Sequence, residues 1–189
     1  LALVGKDFVM LATDMGVARS IVTFKHDEDK IAKVDATKLL AMSGDQASRS
    51  SFAEFITANV ALMRLQNDVD LSNEAAAHFI RREIAKALRS RGPVQCNSFL
   101  GGVDEAGPAL YFLDYLGSLQ RVEFGAHGYC SNFALSIMDR QFRKNLSRDE
   151  ARAIIVACIE QLQKRFLVHV PKFQIKVVAR DGVTEEVYG

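Results

Sequence analysis

Tryptophan is absent from this 189-residue chain, and proline occurs only three times, at Pro93, Pro108 and Pro171. Each proline falls at an expected element boundary, where its missing N–H costs least. No proline-rich, low-complexity or repeated segment is present, which excludes a linker-built or solenoid architecture. Cysteine is scarce too: Cys96, Cys130 and Cys158 are the three, far apart and without a C-x-x-C pair. That spacing argues against a disulfide framework or a zinc site and fits a reducing compartment. An excess of charge is missing as well, since 24 Lys and Arg oppose 23 Asp and Glu for a net +1. A nucleic-acid binder would show more positive charge gathered on one face. No apolar run approaches bilayer-spanning length. Leu1–Lys6 lacks the n-region and h-region of a signal peptide. The expectation is one domain over residues 1–189, in cytosol or nucleus, binding neither membrane nor nucleic acid.

What is present is ordinary globular material, 49% hydrophobic and 25% charged. Phe8–Thr13 (FVMLAT) is nearly unbroken in apolar residues and reads as a strand buried on both faces. Ser20–Phe24 is a second short β-branched run, and Lys38–Ser43 a third strand that runs into Gly44-Asp45, a turn or helix entrance. Phe52, Phe55, Ile56, Val60 and Met63 recur at helical spacing until Asn67-Asp68. Ser72 is a suitable N-cap for a second helix striped by Ala76, Phe79, Ile80, Ile84, Ala87 and Leu88. Arg89, Arg91, Gly92 and then Pro93 supply its end. Cys96–Val103 and Ala109–Asp114 read as a hairpin joined through Asp104–Pro108. Leu119–Glu123 reads as one further short strand.

A third helix is marked by Phe133, Ala134, Ile137 and Met138. A fourth is announced by the capping box Ser147-Arg148-Asp149-Glu150, with Ile154, Ile155, Cys158, Ile159 and Leu162 as its buried stripe. Phe173–Val177 alternates strictly, as a strand does, and a turn at Arg180-Asp181-Gly182 precedes a last strand. Strands and helix pairs in segregated runs argue for α+β layering, sheet on sheet with helices outside.

Chemistry is thinly signalled. Phosphate-cradling glycine loops and the G-x-S-x-G elbow are both missing, and no cofactor is expected. Gly125-Ala126-His127-Gly128 matches the G-x-x-G of RNA-binding modules in four residues only and reads better as a loop before a helix. His26, among Lys25, Asp27, Glu28, Asp29 and Lys30, reads as part of a solvated mixed-charge loop rather than a metal site. His78 reads as a helix-surface residue. Arg81, Arg82, Lys86, Arg89 and Arg91 form a basic stretch that helical spacing spreads around its axis, a solvated face or protein interface. Asp14 ends a buried strand, and Lys30 precedes the apolar Ile31, Ala32 and Val34. Periodicity assigns neither of them a role.

These features together resemble the proteasome beta family. The carriers are Phe8–Thr13 running into Asp14, then Lys30, then the strand ending in Gly44. Leu100–Asp104 with Gly107–Asp114, Gly125–Gly128 with Met138-Asp139-Arg140, and Glu160–Phe166 extend the resemblance over nearly the whole chain. It is greatest to the non-catalytic member at the fourth position of the beta ring. The resemblance implies a four-layer αββα sandwich of two antiparallel sheets between helix pairs, the fold of N-terminal-nucleophile hydrolases. It implies as partners two neighbouring beta subunits, the opposite beta ring and alpha-ring subunits.

Active members of that family use an N-terminal Thr, whose hydroxyl attacks while its own α-amine acts as base. By resemblance Asp14 matches the family's aspartate, Lys30 its lysine and Gly44 the glycine whose N–H serves the oxyanion. Counted back from Asp14, the nucleophile's position falls before Leu1, and Leu1 has neither hydroxyl nor thiol. The family's Arg-Asp-x-x-Ser aligns with Arg165-Phe166-Leu167-Val168-His169, so Phe166 stands for the carboxylate and His169 for the hydroxyl. Tyr129 stands where active members have a Ser. The expectation is a ring subunit without activity that builds the chamber and shapes a neighbour's pocket, the chymotrypsin-like member at the fifth position being the obvious candidate. An active threonine-type peptidase with processed upstream residues is the alternative, and a stand-alone binding module a third.

Overall fold

The computed structural model describes residues 1–19, 22–166 and 170–189. In chain order the strands and helices are β1 (Ala2–Val4), β2 (Phe8–Asp14), β3 (Val17–Arg19), β4 (Val22–Lys25), β5 (Ile31–Asp35), β6 (Lys38–Gly44), α1 (Gln46–Asn67) and α2 (Asn73–Leu88). There follow β7 (Cys96–Asp104), β8 (Gly107–Leu113), β9 (Leu119–Val122), β10 (Phe124–Gly125), α3 (Ser131–Gln141), α4 (Arg148–Arg165), β11 (Phe173–Ala179) and β12 (Gly182–Tyr188). Two antiparallel five-stranded sheets result, ordered β10-β1-β2-β11-β12 and β5-β6-β7-β8-β9, with β3-β4 a separate hairpin.

Three buried clusters mark three interlayer spaces. Phe52, Ile56, Ile80 and Ile84 of α1 and α2 pack on Leu40, Leu100 and Leu113 of the β5–β9 sheet. Val9, Leu11, Leu39, Phe99 and Leu110 fill the space between the sheets. Ala134, Met138, Ile155, Cys158 and Ile159 of α3 and α4 cover Phe8, Met10 and Ile175. The layering is therefore αββα. Central strands of the two middle layers have no wet face, which is why Phe8–Ala12 is buried without interruption. The sheets also approach closely: a Cβ on Gly101 would lie 2.7 Å from Val9 Cγ1, so β7 can hold only glycine there.

Helix ends follow the local code. Asp45 caps α1 by accepting from Ser48 N at 2.9 Å, and Ser72 caps α2 by accepting from Ala75 N at 3.1 Å. Both halves of the Ser147/Glu150 capping box form at the start of α4, and all five residues expected in its stripe are buried. Phe55 and Leu88, expected in the buried stripes of α1 and α2, are instead exposed.

Two expectations for the β7–β8 hairpin need correction. The Asp104–Pro108 connection is tighter than its turn-forming composition suggests, because β7 and β8 pair through Asp104↔Gly107 and leave only Glu105-Ala106 between them. Pro108 accordingly lies inside β8, opposite Val103. The alternation of β11 does not mean one wet face, since Gln174 and Lys176 are buried with their apolar neighbours. Lys176 is tolerated because Asp29 pairs with it and the Ile31 carbonyl accepts at 3.0 Å. Ser20 and Ile21 of the Ser20–Phe24 run lie outside the described residues, and β4 occupies its remainder.

Lys38 shows how much a buried charge depends on its partner. Its side chain is 1% exposed, and Asp35 Oδ2 accepts from it at 3.0 Å. Asp35→Ala is expected to leave that ammonium unpaired and to cost about 3–5 kcal/mol, read as a fall in the urea midpoint of the chain. The double change Asp35→Ala with Lys38→Met should recover most of the loss.

Candidate functional site

A cavity of about 290 Å³ opens where the two sheets end. The last residues of β2 (Ala12, Thr13, Asp14) form one wall and the last of β6 (Ala41–Gly44) another. The carboxyl end of α4 contributes Leu162, with Phe166 just beyond it, and the segment His127–Cys130 crosses the remaining side. Leu1, Phe99, Val170 and Phe173 complete an apolar floor, while the charged groups present are Asp14, Lys30 and Arg49.

Lys30 sits just before β5, and its ammonium reaches back to β2, donating to Asp14 Oδ2 at 2.6 Å and to the Gly16 carbonyl at 2.7 Å. Asp14 Oδ2 also accepts from Gly16 N at 3.2 Å, so the carboxylate caps the turn as well as pairing. Gly44 ends β6 with φ +141, and a Cβ there would lie 2.2 Å from the Gln95 carbonyl oxygen. Only glycine lets β6 pass β7 at this point and turn into α1. Fold geometry thus brings Asp14, Lys30, Gly44, Tyr129 and Phe166 around one cavity.

The other residues singled out from sequence separate by environment. Tyr129 is 82% exposed and stands at the cavity rim. Phe166 ends α4, and its ring meets Phe133 edge-on at 5.8 Å between centroids. His169 lies outside the described residues. His78 is exposed on α2 and His26 is exposed beyond β4. Lys25, Asp27 and Asp29 beside His26 are exposed, as a solvated loop should be, while Glu28 and Lys30 are partly buried. Glu28 accepts from Arg49 Nη2 at 2.9 Å and from Lys25 at 3.1 Å, and these two cations, Lys25 foremost, hold its carboxyl below the ordinary range. Asp29 pairs with Lys176. Glu28, Asp29 and Lys30 each find a partner on another element, which no one-dimensional pattern records. Among the described residues no group of three or more His, Cys, Asp and Glu is placed to hold a metal, and no helix is long and apolar enough to cross a membrane.

Sequence reasoning missed His127 as a half-buried group. Its imidazole lies 4.0 Å from the Phe99 ring and 4.9 Å from the Phe112 ring, centroid to centroid. Burial pushes its pKa down to about 4. Its Nε2 and Thr13 Oγ1 are buried without a hydrogen-bond partner among the described residues. The thiols do not offer a ready nucleophile: burial raises Cys130, and it pushes Cys96 and Cys158 up to about 11.

Comparison with known proteins gives these features a context. The family model described as "Proteasome subunit" matches residues 1–178. The chain is 42% identical over 184 residues to proteasome subunit beta type-2-B of Arabidopsis thaliana, covering 97% of this chain and 92% of that one. It is 41% identical to proteasome subunit beta type-2 of Dictyostelium discoideum, covering 94% of this chain and 91% of that one. It is 34% identical to proteasome subunit beta type-4 of Saccharomyces cerevisiae, covering 95% and 92%.

His127 yields a pH prediction. A histidine titrating near 6.5 when unfolded and near 4 when folded is held neutral by the fold. Its contribution to stability is complete above about pH 6.5 and is lost as pH falls from there through about 4. Between about pH 7 and pH 5 the chain should lose about 2 kcal/mol from this group, and His127→Gln should flatten that part of the profile. Urea titrations of both proteins across the range would read it. An unchanged slope in the variant would show that another group titrates.

Proposed function

This chain belongs to the proteasome subunit family, among its beta-type subunits, and we propose that within the core particle it is a structural member without peptidase activity of its own. It contributes wall and inter-ring contacts to the proteolytic chamber, seats against alpha-ring subunits, and packs between two beta neighbours. Cytoplasm and nucleus are the compartments that go with this role, and degradation of ubiquitin-marked proteins is the process it serves.

The observation that carries the reading is the fate of the helix end beside the cavity. In active members that position holds a carboxylate working with the N-terminal threonine. Here Phe166 fills it, and the ring is engaged with Phe133. An apolar side chain there can neither take a proton nor orient a water. Asp14, Lys30 and Gly44 remain, but each has a structural employment that does not need a reaction. Tyr129, standing out from the rim, supports a further reading in which this subunit presents a side chain to the pocket of a neighbour, the chymotrypsin-like subunit being the candidate.

Intact-mass spectrometry of the purified particle after treatment with a covalent probe for N-terminal threonine tests the proposal. Active beta subunits should gain the mass of the probe, and this chain should not. A labelled form of this chain would establish it as a peptidase. Tyr129→Ala in the assembled particle is expected to change KM more than kcat for chymotrypsin-type substrates, by about two- to tenfold. Unaltered kinetics toward every substrate class would remove the pocket-shaping role and leave the scaffold.

A further inference from the structure

We propose that Lys30 is a positioning residue for the β3–β4 hairpin: its ammonium clasps the base of that arm and sets where the exposed Val22 and Phe24 stand. This role is independent of whether the chain is a peptidase, and its test reads no activity.

The arm has little else to hold it. Among the described residues β3 and β4 pair only with each other, through Val17↔Lys25, Ala18↔Thr23 and Arg19↔Val22, and join neither five-stranded sheet. Val17, Val22, Phe24 and Lys25 belong to none of the three buried clusters. Val22 is 53% exposed and Phe24 68%. A two-stranded hairpin without a packed face is marginal in water. Order in this one must therefore come from its base.

Two segments make the base, Asp14–Gly16 on the way out and Glu28–Lys30 on the way back. The Met15 carbonyl accepts from Glu28 N at 3.0 Å, and Met15 N donates to the Lys172 carbonyl at 3.1 Å. Gly16 is gripped at both its polar groups. Asp14 Oδ2 accepts from its N–H at 3.2 Å, and Lys30 Nζ donates to its carbonyl at 2.7 Å. Lys30 Nζ also donates to Asp14 Oδ2 at 2.6 Å, which closes the clasp. The backbone of Lys30 is tied to the opposite sheet, where its carbonyl accepts from Met42 N of β6 at 3.1 Å. Its side chain therefore joins the start of the arm to β6. The returning strand is secured through Glu28, which accepts from Lys25 at 3.1 Å and from Arg49 of α1 at 2.9 Å.

Charge balance alone does not explain this lysine. The Asp14 side chain is 41% exposed, and a counter-ion for it could approach from several directions without touching Gly16. The bond to the Gly16 carbonyl, one residue ahead of β3, is the one that fixes a chain direction. Hydrogen bonds from a charged donor are stronger than neutral ones, and the Lys30 side chain, 11% exposed, meets little competing water. Among the described residues no other cation reaches Asp14 or the Gly16 carbonyl, so nothing substitutes for Lys30. An arm held in this way presents two apolar side chains on a backbone already ordered, which lowers the ordering cost of any contact they make.

Hydrogen–deuterium exchange of the full chain, read by mass spectrometry, tests the clasp. Lys30→Met should speed exchange over residues 17–25 by about tenfold or more, while β7 and β8 keep the rates of the parent chain. Asp14→Asn with Lys30→Met removes the charge and its partner together, and it should loosen the arm as well. Lys33→Met, at an exposed position of β5, should leave the arm as it is. Restoration of the parent's rates in the double variant would make Lys30 a mere counter-ion and overturn the clasp. So would an arm that exchanges freely in the parent, unchanged rates in Lys30→Met, or an acceleration shared equally by β7 and β8 in both variants.

Discussion

Three consecutive charges, Glu28, Asp29 and Lys30, hold the cavity end of this molecule together. Each reaches a different element. Glu28 pairs with Arg49 on α1, Asp29 with Lys176 on β11, and Lys30 with Asp14 on β2. The first tie joins the segment to the outer helix layer, and the other two join it to the opposite sheet. The segment leads directly into β5, the edge strand of its own sheet. Hydrophobic burial between the sheets is non-directional and fixes their distance more than their register. These ion pairs are directional, and they sit where the sheets splay open. Removing any one leaves a charge in a half-buried site, which costs more than the pair itself contributes.

Much of the architecture was legible in one dimension because local rules and tertiary packing agree there. The stripe from Ile154 to Leu162 and the capping box before it describe α4 fully, since a surface helix needs one apolar face and a satisfied amino end. Short strands were harder. β1, β3, β5 and β10 each have two to five residues, and β5 (Ile31–Asp35) mixes apolar and charged positions because its exposed and buried sides alternate irregularly around a bulge. Such segments are strands because a neighbour offers an unpaired edge, a fact held by the neighbour.

The candidate site was legible through resemblance, not through pattern. Nothing in the spacing of Asp14 and Lys30 says that they touch, and they do so because β2 and β5, in opposite sheets, pack against each other. The burial of His127 was invisible for a related reason. Its partners, Phe99 and Phe112, come from β7 and β8, and a histidine between two glycines carries no mark of burial. The pairing of Glu28 and Asp29 escaped likewise, since their partners Arg49 and Lys176 lie far along the chain.

The survival of Asp14, Lys30 and Gly44 is weak support for chemistry once their structural duties are counted. A general base or an activating ammonium must have its polar atoms available to the reacting groups. Of the three donors on the Lys30 ammonium, Asp14 takes one and the Gly16 carbonyl another. Asp14 in turn supports the Gly16 amide. Gly44 is required by the approach of the Gln95 carbonyl whether or not an oxyanion ever forms. Selection for folding alone would keep all three. The informative positions are those with no such duty. A carboxylate at the end of α4 or a small hydroxyl at the Tyr129 position would do little for packing, so their presence would speak for catalysis. Phe166 improves the packing of α4 against Phe133, and Tyr129 projects away from the core. At both of these positions the residue present accords with the scaffold role proposed above.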